Sequence, residues 1–211
     1  MSLKQDCGHH HHHNWKKLFS RRVFVVIFVF VIVILFAIFL VWAILRPSKP
    51  QFTLQDATVY QLNISDGNYL TSNFQVTVSS RNPNGNIGIY YDRLDVYATY
   101  GNQQITLPTR LPPTYQGHKD INVWSPFVYG MSVPIAPYLA ASFYQQHNFG
   151  TVFIKIKING HIRWKVGTWI SGGYHIYINC PAYITFGSRN TGIPVGTAFK
   201  YQLVQSCGVD V

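Results

Sequence analysis

Residues 152–166 read VFIKIKINGHIRWKV. Apolar residues alternate with lysine and arginine, which is the period-two pattern of a β-strand with one buried and one exposed face. The Asn159-Gly160 pair in the middle is a turn signal, so the sequence predicts a β-hairpin. A three-residue loop over 159–161 keeps the apolar side chains on one face, whereas a two-residue loop would mix the faces.

The predicted hairpin places four basic side chains together on its outer face. In this register Lys157 faces Arg163 and Lys155 faces Lys165, and like charges directly opposite one another destabilise a sheet. Two interpretations are open. Water and salt screen the charges while their stems cover apolar surface, or the face binds an anionic partner, such as de-esterified wall pectin, lipid headgroups or an acidic protein.

Period-two alternation recurs along the rest of the chain after residue 51. A phase slip at Asp92-Arg93 predicts a β-bulge, because an unbroken strand would turn its apolar face outward there. A short helix is predicted over Pro137–Gln146. Further strands are predicted at 52–64, 74–80, 87–91, 94–100, 103–107, 121–133 and 174–179. Short strands without helices between them predict one antiparallel β-sandwich of immunoglobulin- or fibronectin-like type, spanning 52–211.

The segment 23–45 reads VFVVIFVFVIVILFAIFLVWAIL and contains no charge. At about 1.5 Å per residue it forms a helix of roughly 35 Å, enough to cross a hydrocarbon core of about 30 Å. A core helix would show a polar face, and a signal peptide would have a shorter apolar region and a small-residue cleavage site. We therefore predict a retained transmembrane helix over 23–45, a basic tail over 1–22 and a stalk over 46–51.

The charges that flank the apolar segment predict its orientation. Five bases precede it and two follow it, which favours a cytosolic N-terminus and an extracellular β domain. Part of the net charge of +10 therefore comes from the bases that orient the apolar segment in the membrane, and it does not indicate nucleic-acid binding. In an oxidising compartment Cys180 and Cys207 are expected to form a disulfide, with two free buried thiols as the alternative. Asn63-Ile64-Ser65 is a glycosylation sequon in the same domain.

Signatures of catalysis are missing from the sequence. Glutamate is absent, and no G-x-S-x-G, H-E-x-x-H, Walker or G-x-G-x-x-G motif occurs. The histidines beyond the apolar segment have no metal-site spacing. The run His9 to His13 is open to interpretation as a tag, a metal-binding tract or a low-complexity stretch. We expect a protein without enzymatic activity, cofactor or metal.

Three short segments resemble the signature of plant NDR/HIN-like (harpin-induced) proteins, within the late-embryogenesis-abundant group-two superfamily. They are Asn82-Pro83-Asn84, Ile87-Gly88-Ile89-Tyr90-Tyr91-Asp92 and Tyr115-Gln116-Gly117-His118-Lys119. The order of basic tail, span, Arg-Pro stalk and β domain is also similar, so the resemblance covers residues 20–211. The segments themselves are open to interpretation as architecture or as a partner-binding surface.

The resemblance implies a β-sandwich without catalytic residues. It also implies a single-pass plasma-membrane protein connected with plant defence and the hypersensitive response, with plasmodesmata left open as a more specific location. The alternative function is that of a stress-protective or structural protein at the interface of membrane and cell wall.

Overall fold

The computed structural model describes residues 12–44, 47–186 and 191–211. They form a helical N-terminal unit and a β unit, Pro47–Val211. Helix α1 runs from His12 to Ile44. It begins before the apolar segment, because residues 12–22 contain no glycine or proline that would stop it. Its segment Arg21–Leu40 has a mean hydropathy of 3.7, is not buried, and is long and apolar enough to cross a membrane.

The β unit contains two antiparallel sheets and one short helix in its described part. The first sheet contains the strands Gln51–Ser65 (β1), Tyr69–Arg81 (β2), Ile121–Trp124 (β7), Phe127–Pro134 (β8), Ile193–Val195 (β12) and Ala198–Ser206 (β13). Their order is β12-β13-β1-β2, and both β7 and β8 pair with the far edge of β2.

The second sheet contains the strands Ile87–Tyr100 (β3), Gln103–Gln104 (β4), Thr109–Leu111 (β5), Thr114–Gln116 (β6), Thr151–Val166 (β9), Trp169–Ile170 (β10), Tyr174–Thr185 (β11) and Gly208–Asp210 (β14). Their order is β14-β11-β9-β3, with β4, β5 and β6 on the far edge of β3 and β10 on β9. Inward side chains of both sheets form one hydrophobic core, with Phe52, Phe74, Ile89 and Ile156 among its members. The predicted β-sandwich is confirmed.

The predicted hairpin at 152–166 is wrong. β9 is a single strand of 16 residues, and Gly160 lies inside it, paired with Leu94 of β3 and Ile176 of β11. Residue 160 has the same parity as Ile158 and Ile162, so the alternation passes through it without interruption. Because glycine has no side chain, Gly160 allows two strands to approach closely, and it does not form a turn.

The predicted bulge in β3 is confirmed, since the register between β3 and β9 shifts between Tyr91 and Arg93. The bulge brings the carbonyl of Arg93 against Gly160, where an added Cβ would overlap the carbonyl oxygen. The two features are therefore one structural device, in which the strand that bulges needs a neighbour without a side chain.

Other elements agree with the sequence in part. The predicted short helix is confirmed as α2, Pro137–Asn148, with proline in its first turn. The predicted strand 121–133 is two strands, β7 and β8, because Ser125-Pro126 interrupts it. Strand β13 was not predicted, because Ala198 and Tyr201 are its only fully buried residues and they do not alternate.

The predicted stalk is partly joined to the sandwich. Ser48 donates its backbone N–H to Oδ1 of Asn84 at 2.9 Å and accepts a hydrogen bond from Nδ2 of Asn84 at 2.9 Å. Pro50 is buried. Residues 48–50 therefore belong structurally to the β unit.

Candidate functional site

The outer face of the second sheet carries the four bases of the segment 152–166. Lys155, Lys157, Arg163 and Lys165, here called the basic row, follow one another along β9 with their side chains on the exposed side. At about 3.3 Å per residue the row is roughly 33 Å long. Its members do not oppose one another, which corrects the pairing expected from a hairpin.

The residues that pair in register with the basic row on β3 and β11 are uncharged. Lys157 pairs in register with Tyr97 of β3 and Asn179 of β11, and Arg163 pairs with Tyr90 of β3. The like-charge repulsion that the hairpin implied therefore does not arise between paired positions.

Arg163 differs from the three lysines because it has a carboxylate partner. Its Nε and Nη2 atoms donate to Asp92, the bulge residue of β3, at 2.7 and 2.6 Å. The hydrogen bond and the charge of Asp92 raise the pKa of Arg163 above its ordinary value. The guanidinium also lies 5.6 Å from the ring centre of Tyr90. Arg163 therefore fixes the bulge and contributes little free charge.

The three lysines form no ion pair with any described residue. The Nζ atom of Lys155 lies 5.7 Å from the ring centre of Phe153, and that of Lys165 lies 5.2 Å from the ring centre of Tyr115. Such cation–π contacts orient an ammonium group without neutralising it. The lysines therefore leave positive charge on the face.

The remaining carboxylates beside this face are held by bases. Asp95 accepts from Arg93 at 2.6 Å and from Arg110 at 3.2 Å. Asp210 of the edge strand β14 lies 3.7 Å from the ammonium of Lys49. Each of these acids thus has at least one basic partner, and the unpaired lysines add to a positively charged face.

A shallow groove of about 440 Å³ lies across the middle of the face. Its lining combines one lysine with tyrosines, asparagines and two residues of β14. These residues are Lys157, Tyr97, Tyr177, Asn159, Asn179, Gly208 and Asp210. The Asn159 amide donates to the hydroxyl of Tyr97 at 3.0 Å. Tyr177 is 53% exposed.

Aromatic pairs flank the groove along the length of β9. At one end Phe153 and Tyr183 have ring centres 4.9 Å apart, and at the other Tyr90 and Tyr115 have ring centres 4.6 Å apart. Between them, the Nε2 atoms of His161 and His175 are 3.0 Å apart. The face therefore combines exposed rings, amides and lysines.

The family segment Asn82-Pro83-Asn84 is a buried junction. The Asn82 amide donates to the carbonyls of Ile87 and Gly117 at 2.7 and 2.8 Å, and its oxygen accepts from the backbone N–H and Nδ2 of Asn84. Through the contact of Asn84 with Ser48, this junction holds together chain segments that are far apart in the sequence.

Gln116 completes the junction from β6. It is buried, and its amide nitrogen donates to the carbonyls of Ser80 and Asp120 at 2.6 and 2.9 Å. Its oxygen accepts from the Tyr91 hydroxyl at 2.8 Å, and Tyr91 in turn lies 2.7 Å from the Ser80 hydroxyl. Burial raises the pKa of Tyr91, and the hydrogen bond from Ser80 lowers it by a smaller amount.

The other family positions divide between the core and the surface. Ile87 and Ile89 are buried, and Gly88 leaves room for the ring of Tyr115 above it. Tyr90, Asp92 and Tyr115 lie on the outer face already described. His118 and Lys119 are in the turn after β6, where the backbone N–H of Lys119 donates to the Asn84 carbonyl at 3.1 Å. Most of the signature positions are therefore buried or hydrogen-bonded within the β unit.

Cys180 and Cys207 are joined by a disulfide, with Cα atoms 4.3 Å apart. Cys180 lies in β11 and is fully buried, while Cys207 lies between β13 and β14, so the bond links the two sheets. Asn63 of the sequon is exposed near the end of β1. Its glycosylation stays a prediction.

Sequence reasoning missed the tyrosines and asparagines of the groove. In β11 the exposed positions are Tyr174, His175, Tyr177, Asn179 and Tyr183, and all but Tyr174 are named above. The aromatic residues of β11 are visible in the sequence, but their position beside Lys157 depends on the pairing of β11 with β9.

Among the described residues, no group of three or more His, Cys, Asp or Glu side chains is placed to hold a metal. Most of the histidine run lies outside the described residues.

These features define a class of protein in which a long apolar helix is followed along the chain by a disulfide-linked β-sandwich with an asparagine junction. A family model described as "Late embryogenesis abundant protein" matches residues 77–181. The chain is 57% identical over 210 residues to "NDR1/HIN1-like protein 1" of Arabidopsis thaliana, covering 98% of this chain and 100% of the relative. It is 55% identical over 208 residues to "NDR1/HIN1-like protein 12" of the same plant, covering 98% and 99%.

The chain therefore belongs to the NDR1/HIN1-like family within the late-embryogenesis-abundant superfamily, a group of plant defence- and stress-related proteins that is not an enzymatic family. Among solved structures, the solution structure of a late embryogenesis abundant protein is 14% identical. That match covers 84% of this chain and 94% of the other, with a TM-score of 0.33.

Proposed function

We propose that the chain is a single-pass protein of the plasma membrane that displays its β-sandwich outside the cell as a non-enzymatic interaction module in plant defence. The observation that carries this proposal is the unburied apolar segment Arg21–Leu40. Each Å² of such surface costs about 25 cal/mol in water, so an exposed apolar helix gains most by entering a bilayer.

Two features support the orientation. The five-to-two excess of bases before the apolar segment favours a cytosolic N-terminus. The disulfide between Cys180 and Cys207 is of the kind that persists in oxidising compartments, which lie on the other side of the membrane.

The distribution of polar and charged side chains in the β unit supports an interaction role. The buried amides of Asn82 and Gln116 are occupied by hydrogen bonds that hold segments together. The outer face of its second sheet carries lysines without an ion-pair partner beside exposed aromatic rings, as expected of a surface that binds an anionic partner.

The orientation can be tested with the full chain, carrying a different epitope at each end, in plant protoplasts. Protease added to intact cells should remove the C-terminal epitope and spare the N-terminal one, and permeabilised cells should lose both. Survival of the C-terminal epitope in intact cells would contradict the proposal.

Glycosylation of Asn63 has a separate test. Asn63→Gln should abolish any mobility shift produced by an N-glycosidase.

A stress-protective role is the second candidate, favoured by the description of the matching family model. The two roles differ in when the protein is needed. A gene that responds to pathogen challenge and not to drying supports the defence role, whereas the reverse response supports stress protection.

A further inference from the structure

The lysines of the basic row are arranged in a line and do not converge on a point. Lys155 and Lys157 are two residues apart on one strand, which separates their Cα atoms by about 7 Å, and Lys165 lies much further along the same strand. A small anion is held by donors that surround it. An extended row matches a polymer that carries repeated charges.

Aromatic rings accompany this row at both ends and at its middle. The pairs Phe153–Tyr183 and Tyr90–Tyr115 lie at the ends, and Tyr97 and Tyr177 line the central groove. An exposed ring offers a flat apolar surface with a polar edge, which suits the C–H face of a sugar ring.

The asparagines of the groove add neutral hydrogen-bonding groups. Each amide has both donor and acceptor atoms, as the hydroxyl groups of a sugar require. Asn179 lies beside Lys157 in register, and Asn159 is the next outward residue along β9. An acidic peptide or a lipid headgroup layer would use the lysines but has no need of this combination of rings and amides.

We infer that the outer face of the second sheet binds an acidic polysaccharide, with lysines contacting its carboxylates and tyrosines stacking on its sugar rings. Lys155, Lys157 and Lys165 supply the charge, and Tyr97 and Tyr177 supply the stacking surface with Asn159 and Asn179 beside them. This inference rests on the proposed function, because a domain outside a plant cell faces wall polysaccharides.

The test measures retention of the purified full-length protein, in phosphatidylcholine nanodiscs, on immobilised polygalacturonate at low and at physiological salt. The wild type should be retained, and less so at the higher salt because ions screen the lysines. Lys155→Gln with Lys157→Gln should lower retention about tenfold and weaken its salt dependence. Tyr177→Ala should lower retention while leaving the salt dependence in place.

Two matched controls separate the face from general effects. Arg81→Gln with Lys119→Gln removes the same charge elsewhere, and Tyr138→Ala removes an exposed tyrosine of α2. Both should retain wild-type binding. A thermal unfolding curve for each variant verifies that it is folded.

Three outcomes would overturn the inference. Equal retention on polyaspartate, with no effect of Tyr177→Ala, would indicate an acidic protein. Stronger capture by anionic vesicles would indicate a membrane surface, and equal loss in the charge control would indicate nonspecific attraction. Binding of the purified protein does not depend on its orientation in cells, so failure of the protoplast experiment and failure of this one are distinguishable.

Discussion

Gly160 of β9 lies directly against the backbone carbonyl of Arg93 in β3, with no room for a side chain between them. The contact occurs where β3 bulges between Tyr91 and Arg93. The same bulge directs Asp92 to the guanidinium of Arg163. A single backbone irregularity thus determines a glycine position in one strand and an ion pair on the outer face.

Replacing Gly160 by alanine should destabilise the β unit by about 1–3 kcal/mol, because the added methyl group must displace the backbone of β3. Near-UV circular dichroism during thermal unfolding of the full chain in detergent provides the measurement. Gly172→Ala is the matched control, since nothing lies within 4 Å of an added Cβ there. Equal loss in both variants would contradict this account of Gly160.

The wrong hairpin prediction has a specific physical origin. A three-residue loop over 159–161 and an uninterrupted strand both keep Ile158 and Ile162 on the buried side, so the burial pattern cannot distinguish them. The Asn-Gly turn preference then decided for the hairpin. The bulge was predicted from its phase slip, but only the pairing of β3 with β9 shows that Gly160 serves it.

The candidate site was predictable to a similar extent. Parity alone places Lys155, Lys157 and Lys165 on one face in either topology. Their companions Tyr97 and Tyr177 come from other strands, so their proximity depends on sheet order, which a single sequence does not contain. The fold class was predictable because alternation and turns recur along the whole domain.

Replacing Asn82 by alanine should destabilise the β unit by about 3 kcal/mol, because the carbonyls of Ile87 and Gly117 and the amide of Asn84 lose their partner. Urea unfolding followed by circular dichroism measures the difference. Asn86→Ala changes an exposed asparagine of the same loop and should have little effect. Similar values for the two variants would show that the junction contributes nothing to stability.

Reduction of the disulfide should lower the free energy of unfolding by about 3–4 kcal/mol on the chain-entropy model. The crosslinked residues are 27 positions apart, and Cys180 is buried in the core. Thermal unfolding with and without reductant measures the effect. Cys180→Ala with Cys207→Ala should be destabilised and insensitive to reductant, whereas Cys7→Ser should retain the sensitivity. A wild type unaffected by reductant would contradict this prediction.

The stability of the β unit should fall at alkaline pH through its buried tyrosines. Burial raises the pKa of Tyr91 above the ordinary 10.0, and the pKa values of Tyr100 and Tyr201 are raised in the same direction. A raised folded-state pKa means that the folded chain retains the phenolic proton that the unfolded chain releases. This contribution is complete below pH 10 and is lost as the pH rises towards the folded-state pKa, at up to about 1.4 kcal/mol per pH unit for Tyr91.

Tyr91→Phe isolates one tyrosine in this dependence. At pH 7 it should destabilise the β unit by about 1–2 kcal/mol, because the oxygen of Gln116 loses a buried donor. Above pH 10 its stability should fall less steeply than that of the wild type, since the group with the largest burial is gone. Urea unfolding at pH 7, 9 and 10.5 measures both effects. Tyr138→Phe, at a position 67% exposed, should match the wild type at pH 7. Parallel alkaline losses for wild type and Tyr91→Phe would show that Tyr91 does not hold its proton through burial.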